Sequence, residues 1–235
     1  MKKLGIIGAM TVEVALLKEN MESMAVSTHA GMEFCEGKLA GLDVVVVQCG
    51  VGKVNAAMCA QILCSVFGVT HLVNTGIAGS LNADLDIGDL VISRDAMYHD
   101  FDCVHFGYEM GKVPGMDVVA FPADGVMIHC ALVAAEKVHP GHSRIGRIAS
   151  GDLFVAQKAA KEAIIAKTGA FCTEMEGAAI AQTAYRNQVP FVILRAISDK
   201  ADDSAEMDYP TFEAIAAKRC ADVTMHLVKD LISVA

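Results

Sequence analysis

Val189-Pro-Phe-Val-Ile-Leu-Arg-Ala-Ile-Ser-Asp-Lys-Ala-Asp-Asp203 decides how this chain is read. A short apolar run, Phe191 to Ile197, follows a proline and ends in acids, the pattern of a strand buried in a parallel sheet. Ligands of open α/β sheets gather beyond the carboxyl ends of such strands, where Ser198 and Asp199 stand. Asp199 is therefore the first candidate for chemistry. Its bland reading is a turn former, as for Asp202 and Asp203.

Outward from this stretch, strands alternate with helices. Lys2–Ala9 reads as a strand, Met10 to about Met24 as a helix with Val12, Leu16 and Leu17 on one face, and 26–36 as strand with a turn at Gly31. Leu42–Cys49 is β-branched at its core, and Gly50-Val51-Gly52-Lys53 turns into a helix that ends near Gly68. His71–Thr75 is a strand leading into a Gly76-Ile77-Ala78-Gly79 turn, and Asp89–Ser93 is another strand. Residues 98–124 are irregular, and a loop of that length is usually functional or part of an interface. Helices at 124–138, 157–167, 174–187 and 210–234 alternate with strands at 145–149, 169–172 and 191–197. This implies one α/β domain over 1–235, with a mainly parallel, mixed central sheet flanked by helices.

The bulk properties exclude several classes. The 235 residues are 54% apolar and carry a net charge of −9, with no Lys/Arg cluster to hold nucleic acid. Eight cysteines without a Cys-x-x-Cys pair suit a reduced, cytoplasmic protein. Val54–Ala83 lacks charged residues, but Gln61, Gly68, His71 and Asn74 interrupt it, so no membrane span is expected. Met1-Lys2-Lys3 begins like a signal peptide, but Gly5, Gly8 and Glu13 follow too soon. His139 and His142 flank a Pro-Gly turn, and no third metal ligand is evident, so no metal is expected there.

The glycine turn at 50–53 fails as a nucleotide loop. Val54 follows Gly52-Lys53 where a Walker loop needs Ser or Thr, and Asn55 replaces the last glycine of a dinucleotide motif. Glu13 reads alone as a helix-dipole acid. Thr173-Glu174-Met175-Glu176 reads as a capping box with Glu176 at its fourth position. Position changes the balance. Glu13, the Gly76 turn, Gly151-Asp152, Glu176 and Asp199 all follow predicted strand ends, and in a parallel sheet those share an edge. Converging carboxylates raise one another's pKa, and paired acids on opposite sides of a sugar are what glycosidic hydrolysis requires.

Gly5-Ile-Ile-Gly-Ala-Met10 with Glu13, Gly50-Val-Gly-Lys-Val-Asn-Ala-Ala57, Asn74-Thr-Gly76, Ser150-Gly-Asp152, Glu174-Met-Glu176 and Arg195-Ala-Ile-Ser-Asp199 together resemble the 5′-methylthioadenosine/S-adenosylhomocysteine nucleosidases. The resemblance spans nearly the whole chain in order. It implies the nucleoside phosphorylase type I fold, a homodimer and no cofactor. Asp199 would protonate adenine N7, Glu13 would deprotonate the attacking water, and Glu176 would hold the ribose hydroxyls with Met175 packed on the sugar. Phe154 would stack on the adenine and the Val155 backbone would read its edge. Met10, Val51, Ile77, Ala78, Gly79 and Ser198 would complete the pocket. Phe106, Tyr108 and Pro114 would serve the 5′-substituent pocket of the neighbouring subunit. Ile77 stands where many of these enzymes have serine, which removes one possible hydrogen bond to Asp199 and favours its protonated form.

Two other readings remain. A purine nucleoside phosphorylase on the same fold needs arginines for phosphate, and neither the Gly8 nor the Gly76 turn has one. A non-catalytic nucleoside sensor would have no need of Glu13.

Overall fold

The structure is a computed structural model that describes residues 3–202 and 204–233. Lys2, Asp203 and Val234, which the sequence reading includes in a strand, a turn and the last helix, lie outside them.

The chain runs β1 (Leu4–Gly8), α1 (Thr11–Glu19), β2 (Glu22–His29), β3 (Met32–Leu39), β4 (Leu42–Gln48), α2 (Lys53–Ser65), β5 (His71–Ser80), β6 (Leu90–Tyr98) and β7 (Phe121–Pro122). It continues α3 (Gly125–Val138), β8 (Ser143–Ser150), α4 (Lys158–Thr168), β9 (Cys172–Glu174), α5 (Gly177–Arg186), β10 (Phe191–Asp199) and α6 (Ala205–Ser233). β1 pairs in parallel with both β4 and β5, and β5 pairs in parallel with β10. β6, β8 and β9 form a second parallel block. That block runs against the first, because β10–β6 and β5–β9 are both antiparallel. The β5–β10 pairing closes β5, β9, β8, β6 and β10 into a ring. Closure removes sheet edges there. β2 remains an edge strand, exposed along nearly its whole length.

The sequence expectation of strand ends sharing one edge therefore needs correction. The two blocks run in opposite senses, and the ends of β8 and β9 overlap the last residues of β5 instead of lying beside them. Gly76–Gly79 is not a turn but the second half of β5, since every residue of that strand from Leu72 to Ser80 is buried and extended. α1 stops at Glu19, short of Met24, and its core face is Val14 and Leu17 while Val12 is exposed. β2 carries no apolar alternation because neither face is covered, so periodicity could not find its start. α6 begins at Ala205, and Pro210 lies inside it instead of opening it. A proline there forfeits one backbone bond but keeps a helical φ.

β10 is buried at all nine positions, as its uninterrupted apolar run requires. Helices cover the sheet on both sides: Ala178, Ile180 and Ala184 of α5 pack with Ile193 and Ile197, and Val223, Leu227 and Leu231 of α6 pack with Val192 and Leu194. At about 25 cal/mol per Å² of apolar area, these faces are the main source of stability.

Candidate active site

A cavity of about 130 Å³ opens where β1, β5, β9 and β10 end. Its wall includes Glu13, Glu176 and Asp199, brought together from positions up to 186 apart in sequence (199 − 13). Met10, Val51, Ile77, Ala78 and Gly79 line it, as do Phe154, Met175 and Ser198. Val155 does not: its side chain packs with Leu81, Ala149 and Ile164 in a separate small cluster. Phe106, Tyr108 and Pro114 also lie outside the wall. Phe106 is 82% exposed on a short 3₁₀ turn, Val104–Phe106.

Glu13 stands at the third position of α1, so the helix-dipole reading holds as well. Its Oε2 accepts from the Ala9 and Met10 amides at 2.6 and 2.9 Å, and its Oε1 from the Ile77 amide at 3.1 Å. Burial raises its pKa; Arg195 and the three amides oppose the rise. Gly76 is required here by close approach, since a Cβ would stand 2.4 Å from Glu13 Oε1 and 2.8 Å from Arg195 Nη1.

Asp199 is the last residue of β10 and is 2% exposed. Its Oδ2 accepts from Ser198 Oγ and its Oδ1 from the Ala201 amide, each at 2.8 Å. These two donors orient the carboxyl group without a hydroxyl at position 77. Burial lifts its pKa against both bonds, and Asp208 and Asp202 add to the rise.

The capping-box expectation is overturned. Thr173 belongs to β9, and Glu176 is the residue that precedes α5. Glu174 satisfies the helix end: its Oε2 accepts from the Glu176 and Gly177 amides at 3.0 and 2.7 Å, while the Ala178 amide donates to Ser150 Oγ at 2.7 Å. Tertiary partners thus take the orphan amides, which leaves the Glu176 carboxylate free to enter the cavity. Its Oε1 accepts from the Gly52 amide at 2.8 Å, and Gly52 sits at φ 98°, where a side chain is strained. Burial, the Glu174 charge and Arg195, in falling order, leave Glu176 pushed up to about 7.

The sequence reading gave no role to Arg195, which is 1% exposed. Its Nη2 donates to Glu174 Oε2 and to Asn74 Oδ1, both at 2.5 Å, and stands 3.9 Å from Glu176 Oε2. Burial works against the Glu174 charge, but Arg195 and the hydroxyl of Ser150 hold that carboxyl below its usual range. One sequence signal for this pair existed: a lone arginine inside a strand buried on both faces demands an internal carboxylate. Tyr209 was also missed. It lines the cavity edge-on to Phe154, with ring centroids 5.5 Å apart, and its hydroxyl lies 3.3 Å from Met10 Sδ. No sequence pattern marks it.

The Glu176 shift has a consequence for stability. Between 4.5 and about 7 the folded protein keeps a proton that the unfolded chain has released. Stability contributed by this group is therefore lost as pH rises through that window. Glu176→Gln should gain in melting temperature relative to the parent on going from about pH 5 to about pH 8. Parallel melting curves for the two proteins would show that Glu176 does not titrate there.

The comparisons agree with this geometry. Residues 3–229 match the Phosphorylase superfamily. A 5′-methylthioadenosine/S-adenosylhomocysteine nucleosidase of Staphylococcus carnosus is 39% identical over 97% of this chain and 100% of its own length. The Neisseria meningitidis enzyme of the same name, solved with methylthio-immucillin-A, superposes with a TM-score of 0.95 at 37% identity, covering 97% of this chain and 99% of that one. The corresponding Colwellia psychrerythraea structure, with adenine, gives 0.94 at 37% identity over 98% and 96%. Through this full-length match in sequence and fold, the chain belongs to the 5′-methylthioadenosine/S-adenosylhomocysteine nucleosidase family of the phosphorylase superfamily.

Proposed function

We propose that the protein hydrolyses the N-glycosidic bond of 5′-methylthioadenosine, S-adenosylhomocysteine and related 5′-substituted adenosines, releasing adenine and the free sugar. The observation that carries this reading is the charge of the cavity wall. Among the described residues it holds Glu13, Glu174, Glu176 and Asp199, and no lysine, arginine or histidine. Arg195 lies behind the wall, its guanidinium spent on Glu174 and Asn74. Such a wall repels a phosphate dianion and welcomes sugar hydroxyls, water and a cationic transition state. A phosphorylase is disfavoured accordingly.

In this mechanism Asp199 donates its proton to adenine N7 as the C1′–N9 bond breaks and the bonding pair passes to the base. Its burial supports the protonated form that an acid requires. Water attacks the oxocarbenium-like C1′ and gives its proton to Glu13. The three amides take both lone pairs of Glu13 Oε2 and one of Oε1, which leaves one on Oε1 to hold that water. Glu176 accepts the ribose 2′- and 3′-hydroxyls, Met175 packs on the sugar, and Phe154 stacks on the base. No cofactor or metal enters any step.

Exposed apolar side chains support a homodimer. Val51 and Phe154 of the cavity wall, and Leu153 and Phe106 outside it, are all 47% exposed or more, surface suited to cover by a second copy. Phe106, Tyr108 and Pro114 would then close the neighbour's 5′-pocket. Phe106→Ala should raise KM for 5′-methylthioadenosine about 10-fold, the effect of losing one buried aromatic contact, with little change for adenosine. An equal effect on both nucleosides would remove Phe106 from that pocket. Eight free cysteines suit a reducing cytoplasm.

Adenine release from 5′-methylthioadenosine tests the function itself. Catalytic turnover with one adenine per nucleoside is expected. Micromolar binding without turnover would make the protein a sensor.

A further inference from the structure

His139 and His142 have no third ligand nearby in sequence, but the fold supplies one. Pro140-Gly141 turns the chain at the end of α3, with the His142 amide donating to the His139 carbonyl at 3.2 Å. The turn lays the two imidazoles face to face, centroids 4.0 Å apart and planes 14° apart. Asp89, immediately before β6, meets them: its Oδ1 is 2.8 Å from His142 Nδ1. One donor atom from each of the three side chains lies within 4.8 Å of the others. Among the described residues no other group of three His, Cys, Asp or Glu side chains meets that spacing.

We propose that Asp89, His139 and His142 bind a first-row divalent transition ion of the zinc or nickel class, through two imidazole nitrogens and one carboxylate oxygen, with water completing the shell. The donor set decides the class, since magnesium and calcium prefer oxygen alone. The Asp86 amide anchors Asp89 Oδ2 at 2.9 Å, so the other oxygen is presented to the rings. His142 is about half exposed, which gives an ion its entry. The neighbouring guanidinium groups are engaged with carbonyls: Arg219 with Gly88 at 2.7 Å, Arg144 with Gly141 and Ser143 at 3.1 and 2.8 Å. Glu136 is likewise occupied, by the Gly141 amide and Ser143 Oγ, each at 3.0 Å. Metal bonds of about 2.0–2.2 Å bring donor atoms to about 3.4 Å apart. Rotation of the rings about their soft second torsion achieves this. None of these residues lines the catalytic cavity, so the site is separate from the glycosidic chemistry.

Titration of the full, reduced chain with cobalt(II), followed by zinc competition, tests this. One ion per chain with micromolar affinity and no near-ultraviolet thiolate charge-transfer band is expected. His139→Ala and the fold-safe, exposed His142→Ala should each weaken binding by at least about 10-fold, the usual scale for disturbing a ligand shell. Nucleosidase activity serves as the control for folding. A thiolate band, binding unchanged in both variants, or no binding at millimolar metal would overturn the proposal.

Discussion

Asp199→Asn should lower kcat on 5′-methylthioadenosine by at least about 10²-fold, the scale of a lost general acid. The variant keeps the shape: its amide oxygen can accept from the Ala201 amide as Oδ1 does, and its NH2 group can donate to a Ser198 hydroxyl that turns to accept. It carries no proton acidic enough for N7. The role makes a sharper demand than the rate. A riboside whose leaving group departs unprotonated, such as a nitrophenolate, should lose far less. Glu13→Gln should lose a comparable factor on both substrates, because water must be activated whatever leaves. The pH profile follows with its sign: activity falls on the alkaline side as Asp199 gives up its proton, and on the acid side as Glu13 gains one. Burial raises both pKa values, so both limbs lie above the ordinary carboxylate range. Equal losses on the two leaving groups in Asp199→Asn would show that Asp199 is not the acid.

Arg195→Met should cost about 3–5 kcal/mol of stability, as expected when one partner of a buried ion pair is removed. For a chain of this size that is a fall of roughly 10 °C in melting temperature. The reason lies in what remains. Glu174 is buried and loses the guanidinium 2.5 Å away that keeps it ionised. Its pKa must rise, so the penalty grows with pH above that of the unfolded acid. Adding Glu174→Gln should recover part of the loss, and the non-additivity of that double-mutant cycle measures the pair. Fully additive losses would mean that the two side chains do not stabilise one another.

The strands were legible wherever burial on both faces wrote a continuous apolar run, as in β4, β5 and β10. The edge strand β2 was hidden because neither of its faces is covered. Glycines concealed the full length of β5. Gly76 and Gly79 look like turn formers, yet the structure uses their missing side chains to admit Glu13 and Asp199 into contact with an extended strand. The cavity residues were named from ordered motifs shared with a family, not from periodicity. Spacing alone could not rank Asp199 above Asp202. The motifs contain Arg195, Glu174 and Asn74 but not their contact, which forms across three strands, β10, β9 and β5. Asp89 escaped for the same reason, joining two histidines 50 and 53 positions further on (139 − 89 and 142 − 89) through the packing of β6 beside β8. A lone buried arginine signals that a carboxylate partner exists, but local sequence does not say which one.

The most direct test of hydrolysis by a cation-free carboxylate wall is the sugar product from 5′-methylthioadenosine with and without inorganic phosphate. The account predicts free 5-methylthioribose and an adenine release rate indifferent to phosphate. A sugar 1-phosphate, formed at a rate that depends on phosphate, would contradict it.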